Sequence, residues 1–107
     1  MIQTSTDKET VYTIEEIKKR VIPVLKTNNV NTAILFGSYA NNKAHRKSDI
    51  DILVDSGLRG LRFSGFAYEV QLALEKDTDI YDVYYLPDDS PLNDEILKTG
   101  VTIYERE

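Results

Sequence analysis

Asp49 and Asp51 stand two residues apart, at the start of an apolar run that continues as Ile52-Leu53-Val54. Alternate side chains of a strand point to the same face, so both carboxylates are predicted to point the same way. Two carboxylates held this close repel each other unless a cation neutralises them. Mg²⁺ in proteins binds through one or two carboxylates plus substrate phosphates. The pair therefore predicts metal-assisted chemistry on a phosphate.

A Gly-Ser turn precedes this pair. Gly37 and Ser38 follow the apolar run that ends at Phe36, and ten residues separate Ser38 from Asp49. Glycine lets the backbone approach a phosphate because no Cβ obstructs it. A short helix starting at Ser38 would also point free N–H groups at the phosphates. Gly37, Ser38, Asp49 and Asp51 are therefore predicted to surround a bound phosphate.

A third acid is expected, because two metal ions that share a phosphate need about three carboxylates around them. The strand predicted over residues 79–85 would lie beside the Asp49 strand, and it contains Asp79 and Asp82. These two side chains alternate to opposite faces, so only one of them would reach the site. The residues alone leave the choice between Asp79 and Asp82 open.

The motif Gly37-Ser38 followed by Asp49-x-Asp51 resembles the signature of the DNA polymerase beta-type nucleotidyltransferases. The two longer segments around this motif, Phe36 to Ala40 and Ser48 to Val54, resemble the sequences of the minimal nucleotidyltransferase (MNT) domains. The resemblance extends over residues 13–107 and implies an α/β (α+β) fold, with helices packed on a small mixed β-sheet. It also implies two Mg²⁺ ions and ATP as the substrate. The nucleotide-binding residues that it implies are Gly37, Ser38, Asp49 and Asp51.

The family's third acid opens a strand of the Asp-Leu-Val type, which Asp79-Ile80-Tyr81 matches best. The resemblance thus implies that Asp49, Asp51 and Asp79 are the catalytic, metal-binding residues, with Asp82 as the alternative. The family often carries an arginine two residues after the motif's tyrosine position, where this chain has Asn41. This departure puts the efficiency of catalysis in question more than metal binding.

Stand-alone MNT domains of this size resemble the antitoxins of HEPN/MNT toxin–antitoxin pairs. The resemblance implies transfer of AMP from ATP to a tyrosine of a cognate HEPN ribonuclease toxin. Two alternatives stay open: a catalytically weak or inactive module that neutralises its partner by contact, and a small-molecule nucleotidyltransferase of the aminoglycoside-modifying type. The second would need an additional acceptor-binding region, and nothing after residue 85 looks large enough for one.

The pattern of apolar residues predicts the elements that position these groups. Thr13 and Glu16 form a capping box for a first helix, which Pro23 should kink or end early. Strands are predicted over 30–36, 49–55, 79–85 and 101–104, the last at a sheet edge. Helices are predicted over 64–75 and between Ser90 and Gly100. Residues 1–12 are expected to be a flexible N-terminus, followed by one domain over 13–107.

The composition narrows the function classes. A chain of 107 residues with a net charge of −5 lacks the basic surface that general nucleic-acid binding needs. It has no cysteine, which fits a reducing cytoplasm, and no apolar stretch long enough to span a membrane. The composition therefore favours a cytoplasmic protein that binds neither nucleic acid nor a membrane, while the enzymatic function, ATP and the protein partner are what the resemblance implies.

Overall fold

Four strands form one mixed sheet in the order β3-β2-β1-β4 in the computed structural model, which describes residues 10–107. The elements are α1 (Ile14–Thr27), β1 (Thr32–Phe36), β2 (Ile50–Asp55), α2 (Gly60–Leu74), β3 (Thr78–Asp82), α3 (Pro91–Thr99) and β4 (Val101–Glu105). β1 is antiparallel to both β2 and β4, whereas β3 runs parallel to β2. The α/β class, the mixed sheet and the edge position of β4 are confirmed.

The two faces of the sheet carry different helices. The larger core joins α1 and α2 to one face, through residues such as Val21, Phe66 and Ile52. A smaller cluster of Phe36, Leu53 and Ile96 joins α3 to the other face. Since Asp51 alternates with Ile50 and Ile52 along β2, its side chain points to the face that carries α3. The acidic residues therefore lie on the more open side of the sheet.

α1 begins as predicted but does not end at Pro23. Thr13 and Glu16 make the reciprocal capping box, with the Glu16 N–H donating to Thr13 Oγ1 at 3.1 Å. The helix continues to Thr27 because Val21 and Leu25, on either side of Pro23, are both buried in the core. Pro23 itself is exposed, so tertiary packing of the opposite face outweighs the local cost of the proline.

Several predicted boundaries were wrong. α2 begins at Gly60 rather than at residue 64, so part of the predicted flexible turn is helical. β1 starts at Thr32, two residues later than predicted, and β2 starts at Ile50, which leaves Asp49 in the preceding loop. The predicted helix after Ser38 is only a 3-10 turn over Gly37–Tyr39.

The flexible N-terminus was predicted over residues 1–12, and residues 1–9 lie outside the described part of the chain. At the end of that segment Tyr12 is buried, with its hydroxyl donating to the Leu74 carbonyl at 2.7 Å. Tyr12 thus joins the start of α1 to the end of α2 and belongs to the folded core. Among residues 10–107, no helix has the length and apolar character required to cross a membrane.

Candidate active site

Gly37 turns the chain sharply at the end of β1, with a positive φ of 75°. The turn is buried, and a Cβ at this position would collide with Oδ2 of Asp51. The register explains this closeness, because Phe36 is the residue of β1 that pairs with Asp51 of β2. Glycine is therefore required here for two reasons: the left-handed backbone and the neighbouring carboxylate. The sequence predicted close approach of a phosphate, and the structure adds close approach of the acid.

The acids at 51 and 79 lie side by side. Asp51 and Asp79 are register partners in the parallel pair of β2 and β3, so their side chains point to the same face. Asp49 comes two residues before Asp51, in the loop immediately before β2. The structure thus places Asp51 beside Asp79, the third acid that the family resemblance implied, while the position of Asp49 depends on its loop.

The pKa of Asp51 is raised from 3.8 to about 6. Burial is the largest cause, and the negative charges of Asp79, Asp49 and Glu95 add to it. Each of these acids disfavours ionisation of the Asp51 carboxyl, because like charges repel at short range. The site therefore has a local excess of negative charge that a bound cation would relieve.

Asp82, the alternative third acid, has a structural role instead. It is almost fully buried, and its carboxylate accepts hydrogen bonds from the backbone N–H and the hydroxyl of Ser56 and from the Tyr84 N–H. These bonds join the end of β3 to the loop after β2 and begin the 3-10 turn Val83–Tyr85. β3 therefore ends at Asp82 rather than at residue 85, and Asp82 points away from Asp79.

Two residues near the acids were not predicted as site residues. Glu95, an exposed residue of α3, is close enough for its charge to raise the pKa of Asp51. Tyr81 lies on the same face as Asp79, and its ring packs on Phe36 with the centroids 5.6 Å apart. Burial and the four surrounding acids raise the pKa of the Tyr81 hydroxyl, so it stays neutral. Of these two residues, only Tyr81 could have been found from the sequence, because its two-residue spacing from Asp79 puts both on the same face of the strand.

The residues present fit a divalent cation, although they do not form a complete ligand set. Across residues 10–107, no group of three or more acidic, histidine or cysteine side chains is arranged to hold a metal ion. The fit rests on Asp51 and Asp79, two oxygen donors side by side with the pKa of Asp51 raised. The three-acid metal site, with Asp49 as its remaining member, stays a prediction.

Comparison with known proteins identifies the family of this chain. The family model "Polymerase beta, Nucleotidyltransferase" matches residues 19–107. A protein of Methanocaldococcus jannaschii, provisionally named a protein adenylyltransferase, is 38% identical over 92 residues, which are 84% of this chain and 97% of the relative.

Solved structures give a similar result. A chain in the crystal structure of a toxin–antitoxin complex with AMP-PNP superposes with a TM-score of 0.71 at 26% identity, covering 84% of this chain and 74% of that one. A chain in the structure of the tri-AMPylated Shewanella oneidensis HEPN toxin with its MNT antitoxin gives a TM-score of 0.66 at 23% identity, over 87% and 73% of the two chains. The second likeness supports the fold alone.

Proposed function

The chain belongs to the polymerase beta nucleotidyltransferase family, and from this premise we propose that it is a Mg²⁺-dependent protein adenylyltransferase. Its acceptor is a tyrosine of a cognate HEPN ribonuclease toxin, which it silences as the antitoxin. The observation that carries the proposal is the pairing of Asp51 with Asp79 beneath the Gly37 turn, where the pKa of Asp51 is raised. The likeness to a chain crystallised in a toxin–antitoxin complex with an ATP analogue supports ATP as one substrate and a toxin as the partner.

The reaction is an in-line displacement at the α-phosphorus of ATP. The phenol oxygen of the acceptor forms a bond to this phosphorus while the bond to the pyrophosphate oxygen breaks, and the phenol proton leaves to solvent. The products are an AMP–tyrosine ester and pyrophosphate. Two Mg²⁺ ions, when bound, would neutralise the phosphates and the attacking oxygen.

Asp49, Asp51 and Asp79 would hold the metal ions on the face that carries α3. Gly37 and Ser38 would bind the triphosphate through the backbone of the 3-10 turn, which the glycine brings within reach. Asp79 lies on β3, an edge strand of the sheet, and the protein acceptor would approach the site from this edge. The chain supplies positioning and negative charge for the metal, and the acceptor supplies the nucleophile.

The proposal is tested by incubating the chain with α-labelled ATP, Mg²⁺ and the HEPN-type protein encoded beside it. We expect label on the partner, its loss when the acceptor tyrosine is changed to phenylalanine, and its loss in Asp51→Asn and Asp79→Asn. The matched control is Asp88→Asn. It also removes one negative charge, but from an exposed loop residue that is not part of the Asp51–Asp79 pair.

The alternatives give different results in the same assay. A contact-only antitoxin would leave the partner unlabelled and would still neutralise it after Asp51→Asn. A small-molecule nucleotidyltransferase would label an aminoglycoside and leave the partner unlabelled. Either outcome would refute the proposed acceptor, and absence of any ATP-dependent labelling would refute the enzymatic function itself.

A further inference from the structure

Lys76 is a buried lysine at the border of the site. Its side chain is 5% exposed, and among residues 10–107 it is one of only three buried polar or charged residues, beside Ser56 and Asp82. It lies between the end of α2 and the start of β3, three residues before Asp79. Burying an ammonium group is costly unless it is hydrogen-bonded, so its partners indicate its role.

One of its partners lies in the loop that leads into β2. Lys76 Nζ donates a hydrogen bond to the backbone carbonyl of Arg46 at 3.1 Å, across a separation of 30 residues. Arg46 lies inside a tight turn, in which the Ser48 N–H donates to the His45 carbonyl at 2.8 Å and the His45 N–H donates to Ser48 Oγ at 2.9 Å. This turn, residues 45–48, ends immediately before Asp49.

Asp49 needs this support because it lies outside β2. The ladder between β2 and β3 begins one residue later, where the Ile50 N–H donates to the Asp77 carbonyl at 3.1 Å. Strand pairing therefore fixes Asp51 against Asp79, whereas Asp49 lies in the link between the first bond of the ladder and the turn before it. An open cleft of about 220 Å³ borders the turn and is lined by Asp49, Lys76 and their neighbours.

We infer that Lys76 is a positioning residue for Asp49. Its ammonium group holds the Arg46 carbonyl, the turn 45–48 is fixed by that bond, and the turn sets the direction of the Asp49 carboxylate toward Asp51 and Asp79. Lys76 touches neither the nucleotide nor the acceptor in this account. The expected effect of Lys76 on catalysis rests on the proposed function. The fixing of the turn 45–48 by Lys76 does not depend on it.

The test compares Lys76→Met, which keeps the length of the side chain but removes the donor, with Lys76→Arg, which keeps a donor. The first readout is hydrogen exchange of the Ser48 amide without metal or nucleotide. We expect this amide to exchange at least tenfold faster in Lys76→Met and close to the wild-type rate in Lys76→Arg. The second readout is the Mg²⁺ concentration for half-maximal adenylylation, which should rise about tenfold or more in Lys76→Met, as is typical when a group that orients a metal ligand is lost. Its KM for the acceptor should not change.

The control is Arg20→Met. Arg20 also donates to a backbone carbonyl near the end of α2, from Nη1 to Ala73 O at 3.2 Å, but it lies on α1, away from the acids. A general loss of stability would affect both variants, whereas the Ser48 exchange and the Mg²⁺ requirement should change only in Lys76→Met. Unchanged Ser48 exchange in a folded Lys76→Met protein would overturn the inference. Wild-type protein without adenylylation activity would instead refute the proposed function and leave the exchange result standing.

Discussion

Replacing Asp51 by asparagine should stabilise the metal-free protein at neutral pH while removing its activity. Asparagine has nearly the same shape as a protonated aspartate and carries no charge. Because the folded-state pKa of Asp51, about 6, lies above the ordinary value of 3.8, the folded protein binds this proton more tightly than the unfolded chain. The stability associated with Asp51 is therefore greatest below the unfolded-state pKa and is lost as the pH rises through about 6.

The magnitude follows from the shift. A difference of about two pKa units corresponds to about 3 kcal/mol. The Asp51 carboxyl is only partly buried, so solvent screening reduces the effect, and we expect Asp51→Asn to gain about 1 to 2 kcal/mol at pH 7.5. Near pH 4.5 the folded wild-type carboxyl is already mostly protonated, and the gain should shrink to about a third of its value at pH 7.5.

The assay is urea unfolding at pH 4.5 and 7.5 in the presence of EDTA. Asp88→Asn, the exposed loop variant, should show no comparable difference between the two pH values. The reasoning is refuted if Asp51→Asn is no more stable than the wild type at pH 7.5. It is also refuted if the same gain appears at both pH values, because the gain would then come from packing rather than from charge.

Gly37→Ala should destabilise the protein more than Gly57→Ala and should also abolish nucleotide binding, measured by thermal unfolding and by calorimetry with AMP-PNP. Both glycines have a positive φ, near 75°, which costs an alanine about 1 to 2 kcal/mol, but only at Gly37 would the new methyl group meet a carboxylate. Asp82→Ala should cost about 3 kcal/mol of unfolding free energy by leaving buried donors unpaired, without raising the Mg²⁺ requirement of the remaining active protein. Tyr12→Phe should cost about 1 kcal/mol through loss of the hydrogen bond to Leu74, and an unchanged stability would show that this residue lies outside the cooperative core.

Local patterns predicted the face on which Asp51 lies, but they did not identify its neighbour Asp79. The two-residue period of a strand placed Asp51 on the face opposite to Ile50 and Ile52, and the burial of both isoleucines bears out that alternation. The choice of Asp79 over Asp82 came from the resemblance, and the parallel register of β2 and β3 puts Asp79 beside Asp51. The two-residue spacing of a strand and a turn motif predict the geometry only where it depends on residues that are close together in the sequence.

The roles of Asp82 and Lys76 could not be predicted in this way. Their hydrogen-bond partners, Ser56 and Arg46, are 26 and 30 residues away in the sequence. Both side chains look like ordinary exposed charges until the sheet forms, because no local pattern marks a charged residue that tertiary structure will bury. Of the two outcomes predicted at Pro23, a kink or an early end, the early end was wrong for the same reason, since burial of the opposite face of α1 is a tertiary effect.

Asp51 and Asp82 belong to the same sheet, but their surroundings differ and indicate different roles. Asp82 is buried among donors from Ser56 and Tyr84, so its charge is satisfied within the protein and stabilises the chain around it. For Asp51, burial and the neighbouring carboxylates instead raise the pKa and make its charge costly to the fold. An acid that costs stability in the metal-free protein has the most to gain from a bound cation. This physical difference supports the proposed function, which assigns the metal to the face of the sheet that carries Asp51 and leaves Asp82 as a structural residue.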